Sequence, residues 1–480
     1  VISRVVGGEL HIIDRHRERV QLAAGLDAGK QLSADAQERA LACLERFGER
    51  LRDLPKQQVR AVGTNTLRKA KNSRSFLEQA REALGHHIEI ISGAEEARLI
   101  YLGVAHSFFD PSRRRLVVDI GGGSTECILG EGFEPVRSSS LYMGCVSFTS
   151  EFFPQGSLDK ERMARAENAA RLELQGIEHD FREIGWEACV GASGTIQAIR
   201  EVLRVNGWSP DGITLPGLRR LRKELLKAGH VKRLAVPGLP EDRAPVVPGG
   251  LAILLATVES LGIEQMRAST GALREGLLHD QLGRIRHEDI RHRTVRRYME
   301  RYQVDERQAE RVESTALELL GQAAEDWKIP EDRGRRFLSW AARLHEIGQA
   351  ISYSGYHKHG SYLLAHADLP GFSLEGQRML AAMVLAHRRK FSKALFQELP
   401  SSRAWQAMRY SILLRLSVLL NRSRRDDEPP QPKARVKKKT LWLEFPAGWL
   451  EARPLTRLDL EREQQTLAGA GFRLIVDGTG

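Results

Sequence analysis

In the run LVVDIGGGSTE (116–126), two acids, three consecutive glycines and two hydroxyl side chains fall between Asp119 and Glu126, directly behind an apolar strand pattern. Glycines let a backbone turn tightly with its N–H groups exposed, so Gly121, Gly122, Gly123 and Ser124 form a candidate phosphate cradle, with Asp119 and Glu126 beside it. No lysine follows the glycines, and TECILG continues as a strand. The pattern is therefore a strand–turn–strand phosphate hairpin, unlike a Walker loop that opens a helix. The plainer alternative, a glycine-rich hairpin capped by Asp119, fits less well with so many functional residue types in one turn. A second turn, in CVGASGTIQAIREVL (189–203), ends a strand and opens a helix through Gly191, Ser193, Gly194 and Thr195. A helix N-terminus welcomes an anion, although alone such a turn reads equally as a cap. A third turn, STGALREGLL (269–278), offers Thr270, Gly271 and Arg274, or is simply a packing helix.

ISGAEEARLIYLGV (91–104) places Glu95 and Glu96 at the start of a helix. Neighbouring helical residues point about 100° apart, so only one of the two can face a given cleft. That one could position an attacking water as a general base; alternatively both complement the helix dipole. GTNTLRKA (63–70) ends a strand in Thr64, Asn65, Thr66 and Arg68, where Arg68 either clamps a phosphate oxygen or pairs with an acid.

Alternating strand and helix signals must position these groups. VISRVV and LHIIDR flank Gly7-Gly8 as a hairpin, a helix over 33–51 follows an N-cap Ser33, and a strand (59–64), a helix (73–84) and a strand (87–92) precede the helix that starts near Ala94. From about 113 the pattern restarts with three strands, a long helix (158–183), the strand EACVGA and further helices. After about 280 nearly everything reads as helical, broken at Pro330, Pro370 and Pro400, and DDEPPQPK (426–433) reads as a linker. TLWLEFP (440–446) and FRLIVDG (472–478) are strands of a small terminal unit.

With 480 residues, 41% of them hydrophobic and 28% charged, the chain is too long for one small core and too apolar for wholesale disorder. Its longest apolar runs fall short of the roughly 20 residues that span a bilayer. Four scattered cysteines without a CxxC pair fit free thiols in a reducing cytoplasm. The chain opens inside a strand pattern without a methionine, so the natural start is expected to precede Val1. Of the net charge of +11, residues 281–480 contribute +10, with 35 Lys and Arg against 25 Asp and Glu. Such a surface favours polyanions, while aromatics at 6% are too sparse to argue for stacking on nucleic acid.

VGTNTLR, IEIISGAEEARLIYLGV, LVVDIGGGSTE, MGCVSF, GASGTIQA and GALREGLL, in this order, closely resemble the exopolyphosphatase and guanosine pentaphosphate phosphatase family. That family belongs to the actin, sugar kinase and heat-shock ATPase superfamily, and the resemblance covers essentially the whole chain. It implies an α/β fold of two ribonuclease-H-like (actin-like ATPase) lobes, an all-α His-Asp-type helical domain and a small C-terminal α+β unit, over 1–100, 101–283, 284–428 and 429–480. LHEIG, SGYHKHGSYLLAHADLPGF and LDLEREQQ look more like the long bacterial exopolyphosphatase than its sibling. The implied activity is release of orthophosphate from the end of inorganic polyphosphate. The alternatives are conversion of guanosine pentaphosphate to tetraphosphate, a kinase or ATPase using the same cleft, and a non-catalytic polyphosphate binder.

The resemblance further implies Glu96 as the base that activates water, and Asp119 and Glu126 near a divalent metal, Mg2+. It puts Arg68 on phosphate and makes the 121–124 and 191–195 turns its cradles. Lys437, Lys438 and Lys439, in the run KARVKKK, would guide the distal polymer. A cytoplasmic homodimer is expected, with peripheral association at the inner face of the membrane left open. Family members begin with an Asp-x-Gly-Ser-Asn-Ser hairpin that these residues lack. A His-Asp metal site is not expected: His345 is followed by Glu346, and His357, His359, His366 and His387 show no ligand spacing.

Overall fold

Strand patterns at period two and helix patterns at period 3.6 sort this chain into two compact units, residues 1–289 and 290–480. The computed structural model describes residues 1–6, 9–18, 20–27, 29–107, 114–285, 289–424 and 432–477.

The first unit opens with an antiparallel hairpin of β1 (Ile2–Val6) and β2 (Glu9–Asp14). The expected Gly7-Gly8 turn lies outside the described residues. Helix α1 (Ala34–Leu51) starts at Ser33, whose Oγ accepts from the Ala36 N–H at 3.4 Å. β3 (Ala61–Gly63), α2 (Asn65–Lys69), α3 (Ser73–Leu84), β4 (Ile88–Ile90) and α4 (Gly93–Ala105) follow, with β3 and β4 parallel. Phe76, Leu77, Ala80, Leu84 and Ile88 build the small core of this half.

β5 (Arg115–Ile120), β6 (Thr125–Glu131) and β7 (Glu134–Leu141) form an antiparallel meander. After α5 (Cys145–Phe152) and α6 (Lys160–Ile184), β8 (Ala188–Ala192) adds parallel to β5. Then come α7 (Gly194–Val205), α8 (Leu215–Ala228), α9 (Val247–Leu261), the two-residue β9 (Arg267–Ala268) and α10 (Leu273–Ile285). The five strands lie in the order β7-β6-β5-β8-β9. All six residues of the central β5 are buried, because helices cover both faces of the sheet. Leu116, Val118 and Ile120 enter the large core with α9, whereas Val117 and Ile128 pack against α4 through Ala97, Ile100 and Tyr101. The pleat therefore puts Asp119 and Glu126 on the α4 face, in step with Val117 and Ile128.

The second unit stacks α11 (Ile290–Arg301), α12 (Glu306–Ala323), α13 (Glu331–Leu344), α14 (Tyr356–His366), α15 (Leu374–Ala386) and α16 (Ser401–Leu420). Pro330 and Pro400 sit at the N-caps of α13 and α16, where a missing N–H costs nothing. Residues 426–431 of the expected linker lie outside the described residues. β10 (Lys433–Lys437), β11 (Thr440–Glu444), α17 (Pro454–Ala468) and β12 (Arg473–Asp477) close the unit, with β10-β11 antiparallel and β11-β12 parallel. Leu441, Leu443 and Leu474 join the same apolar cluster as Leu338, Leu380 and Leu413. β10 departs from the sequence reading, which placed no strand there; Val436 is buried and Ala434 half-buried against the core, while its lysines are exposed. No helix among the described residues is long and apolar enough to cross a membrane.

Candidate active site

Two neighbouring acids on one helix turn separate completely. Ser92 caps α4, its Oγ accepting from the Glu95 N–H at 3.1 Å. Glu95, 1% exposed, turns into a buried ion network, with Arg98 Nε and Nη2 at 2.8 and 2.9 Å. Arg98 and Arg60 also reach Asp280 on α10. Glu96 turns the other way, where Arg68 Nη1 on α2 donates to its Oε2 at 2.9 Å and to the Ile91 carbonyl at 2.8 Å.

Glu96 thus faces Asp119 and Glu126, and the three buried carboxylates act on one another. Burial, then the Glu96 charge, pushes Asp119 up to about 7. Burial followed by the charges of Glu96 and Asp119 takes Glu126 to about 8, although Ser124 and Ser140 hydrogen-bond to it, Ser140 Oγ donating to Oε1 at 2.8 Å. Burial also raises Glu96, while Arg68 and Thr64 hold it down. Among the described residues no set of three His, Cys, Asp or Glu side chains is arranged to hold a metal by itself.

The glycine turn sits at the carboxyl end of β5. The Gly121 N–H donates to the Ser124 carbonyl, and the carbonyls of Gly121 and Gly122 accept from the Cys145 and Val146 N–H groups that open α5. From the first half, the buried Asn65 reaches over this turn, its Nδ2 2.6 Å from where a Cβ on Gly123 would stand, so a side chain there would have to push the Asn65 amide aside.

The second turn is tighter than the sequence suggested. Gly191 lies within β8, its carbonyl accepting from the Ser269 N–H at 2.8 Å. The reversal falls on Ser193 alone, at φ 91°, a left-handed value that costs a non-glycine residue energy. Gly194 and Thr195 open α7. Because β5 and β8 are adjacent parallel strands, with Asp119 opposite Ala192, both turns leave the sheet at the same edge, where open α/β sheets place ligands.

Sequence reasoning missed Arg243, whose guanidinium occupies the space a Cβ on Gly194 would need. It lies in the loop before α9 and nothing in its local pattern marks it. The 269–278 turn leads into a packing helix: a Cβ on Gly276 would stand 1.8 Å from the Leu99 carbonyl oxygen of α4. Lys437, Lys438 and Lys439 are exposed on the tight β10-β11 turn of the second unit, with Lys439 Nζ 5.5 Å from the Trp405 ring.

Residues 1–285 match the model of the Ppx/GppA phosphatase family, and residues 290–464 match domain III of the same family. The chain belongs to the Ppx/GppA phosphatase family. As such it is a hydrolase of phosphoanhydride bonds. Two relatives named guanosine-5'-triphosphate,3'-diphosphate pyrophosphatase cover 99% of the chain and 95% of their own length: one from Photobacterium profundum, 38% identical, and one from Vibrio vulnificus, 40% identical. A solved exopolyphosphatase from Cytophaga hutchinsonii shares the fold at TM-score 0.52 and 25% identity, over 58% of this chain and 92% of that one. The two-lobed, actin-like α/β architecture with a helical continuation is thus that of a Ppx/GppA phosphatase. The exopolyphosphatase reading rests on short helical motifs, whereas these two relatives carry the name of the alternative activity.

Proposed function

We propose that this Ppx/GppA phosphatase removes the terminal 5' phosphate of guanosine 5'-triphosphate 3'-diphosphate, releasing orthophosphate and guanosine tetraphosphate. The observation that carries the choice of substrate is the shared name of the two relatives, each aligned over nearly its whole length. The chemistry is supported by the opposition of Glu96 to the 121–124 turn. Glu96 takes a proton from water as the water oxygen attacks the terminal phosphorus in line, and the bridging P–O bond breaks towards the leaving diphosphate. Burial supports this role by bringing the carboxyl closer to neutral pH than an exposed glutamate. Arg68 sits beside the base, within reach of a phosphate oxygen. The N–H groups of Gly122, Gly123 and Ser124 and those of the Ser193–Thr195 turn, with Arg243, bind and orient the phosphates.

Asp119 and Glu126 fit a hard divalent cation. They are oxygen donors, buried and mutually repelling, and Mg2+ is typically held by one or two carboxylates completed by substrate phosphates and water. When bound there, Mg2+ would neutralise the charge that builds on the transferred phosphate.

The second reading is hydrolysis of inorganic polyphosphate, favoured by the Cytophaga exopolyphosphatase neighbour and by the exposed Lys437–Lys439 turn, which would hold a distal polymer. In both readings the protein works in the cytoplasm as a homodimer, in keeping with its family resemblance and with four free, buried cysteines. The test is phosphate release with Mg2+ from each substrate. We expect kcat/KM on the nucleotide to exceed that on long polyphosphate at least tenfold, and EDTA to abolish both. The reverse ratio would transfer the assignment to polyphosphate.

A further inference from the structure

An aromatic ring stands beside the glycine turn that the phosphate chemistry does not use. Leu141 ends β7 paired with Thr125, and Thr125 Oγ1 donates to the Met143 carbonyl at 2.6 Å. Gly144 packs directly on Gly123. Between these fixed points the Tyr142 N–H donates to Glu173 on α6 at 3.1 Å. The backbone is therefore clamped next to the 121–124 turn, yet the Tyr142 side chain projects outward and the residue is 72% exposed. What sets this ring apart from other exposed side chains is its place, on a clamped backbone next to the 121–124 turn.

A cation from the opposite half approaches the ring: Lys69, the residue after Arg68, places Nζ 4.9 Å from the ring centroid. Lys69 is itself crowded by positive charge. Burial is the first cause that lowers its pKa, Lys30 and Arg68 lower it further, and only the Glu173 carboxylate works the other way. Lys30, Arg68 and Lys69 thus form a basic cluster beside an exposed aromatic ring, at the side of the turn away from α7.

We propose that Tyr142 and Lys69 form the nucleoside subsite: the Tyr142 ring stacks on the guanine base, and Lys69, supported by Lys30, meets the 3'-diphosphate. This rests on the nucleotide reading above and deepens it. A bare polyphosphate has no base to stack, so the subsite would separate the two substrates.

The experiment compares the intact protein with Tyr142→Ala, Tyr142→Trp and Lys69→Met on guanosine 5'-triphosphate 3'-diphosphate and on inorganic tripolyphosphate. For Tyr142→Ala, KM on the nucleotide should rise about tenfold, the order expected for loss of one base–aromatic stack, with kcat little changed and KM for tripolyphosphate unmoved. Tyr142→Trp should restore the nucleotide KM, and Lys69→Met should raise it. An equal KM change on both substrates, or none on the nucleotide, would overturn the subsite. If the intact protein does not hydrolyse the nucleotide, the functional reading fails separately. Calorimetric titration with guanosine 5'-diphosphate 3'-diphosphate then decides the subsite: about tenfold weaker binding by Tyr142→Ala sustains it, and equal or undetectable binding removes it.

Discussion

Arg68 donates to the Glu96 carboxylate at 2.9 Å while anchored to the Ile91 carbonyl at 2.8 Å, so the guanidinium is fixed before any substrate arrives. It offsets part of the burial cost that raises the Glu96 pKa. Glu96→Gln keeps the hydrogen bond but cannot take a proton. Its kcat should fall roughly a hundredfold to ten-thousandfold, with nucleotide binding by calorimetry retained. Removing the cation in Arg68→Met favours the neutral acid, so the acidic limb of the kcat profile should move to higher pH. An unshifted limb would show that Glu96 is not the titrating base.

Arg243 stands against Gly194 at the opening of α7. A charged hydrogen bond to phosphate is worth about 1.5–3 kcal/mol, roughly ten- to a hundredfold. Arg243→Gln should therefore raise KM by that factor on nucleotide and tripolyphosphate alike, without lowering the melting temperature. A purely structural arginine would give the opposite pattern, a lower melting temperature and an unchanged KM.

The α4–α10 crossing depends on the absence of a side chain at Gly276, where a Cβ would stand 1.8 Å from the Leu99 oxygen. That neighbour is backbone and cannot swing aside. Gly276→Ala should destabilise the first unit by about 1–3 kcal/mol through overpacking, seen as a lower thermal midpoint, while Gly321→Ala on α12, where nothing stands within 4 Å, should not.

In the second unit His345, His357 and His387 are buried near Glu346, Tyr356, Arg388 and Arg424. Burial first, then positive neighbours, lowers His357 to about 4, and burial likewise lowers His345 and His387. Each binds its proton more readily when unfolded, where the pKa is about 6.5. Their contribution is therefore complete above that pH and is lost as pH falls from 6.5 towards 4. Thermal unfolding between pH 7.5 and 4.5 should show this decline, and His387→Phe should flatten it; an unchanged slope would contradict the assignment.

Much of the candidate site was legible in the sequence because its chemistry is local. One run carries Asp119, the glycines and Glu126, although it is the β5–β6 register, which pairs the two acids, that puts both on one face. The helix start that carries Glu95 and Glu96 was equally visible. Their division of labour was not, since it depends on Arg60, Arg98 and Asp280, and the Asp280 contact is 182 positions from Arg98. Nor could the sequence mark β10, where the small Ala434 and Val436 are the inward side chains among basic residues, or Arg243, which matters only because Gly194 comes to lie beneath it.

The amino-acid sequence by itself determined which residues can cradle phosphate and abstract a proton, and the alternation of strands and helices that carries them, since turn chemistry and periodicity act over a few residues. Only the tertiary structure decided that Glu96 rather than Glu95 meets Asp119 and Glu126, that Asn65 covers Gly123, and that Tyr142 meets Lys69. Those relations join distant segments through burial, where low dielectric makes a charge either paired or costly, and no local pattern encodes which partner will be near.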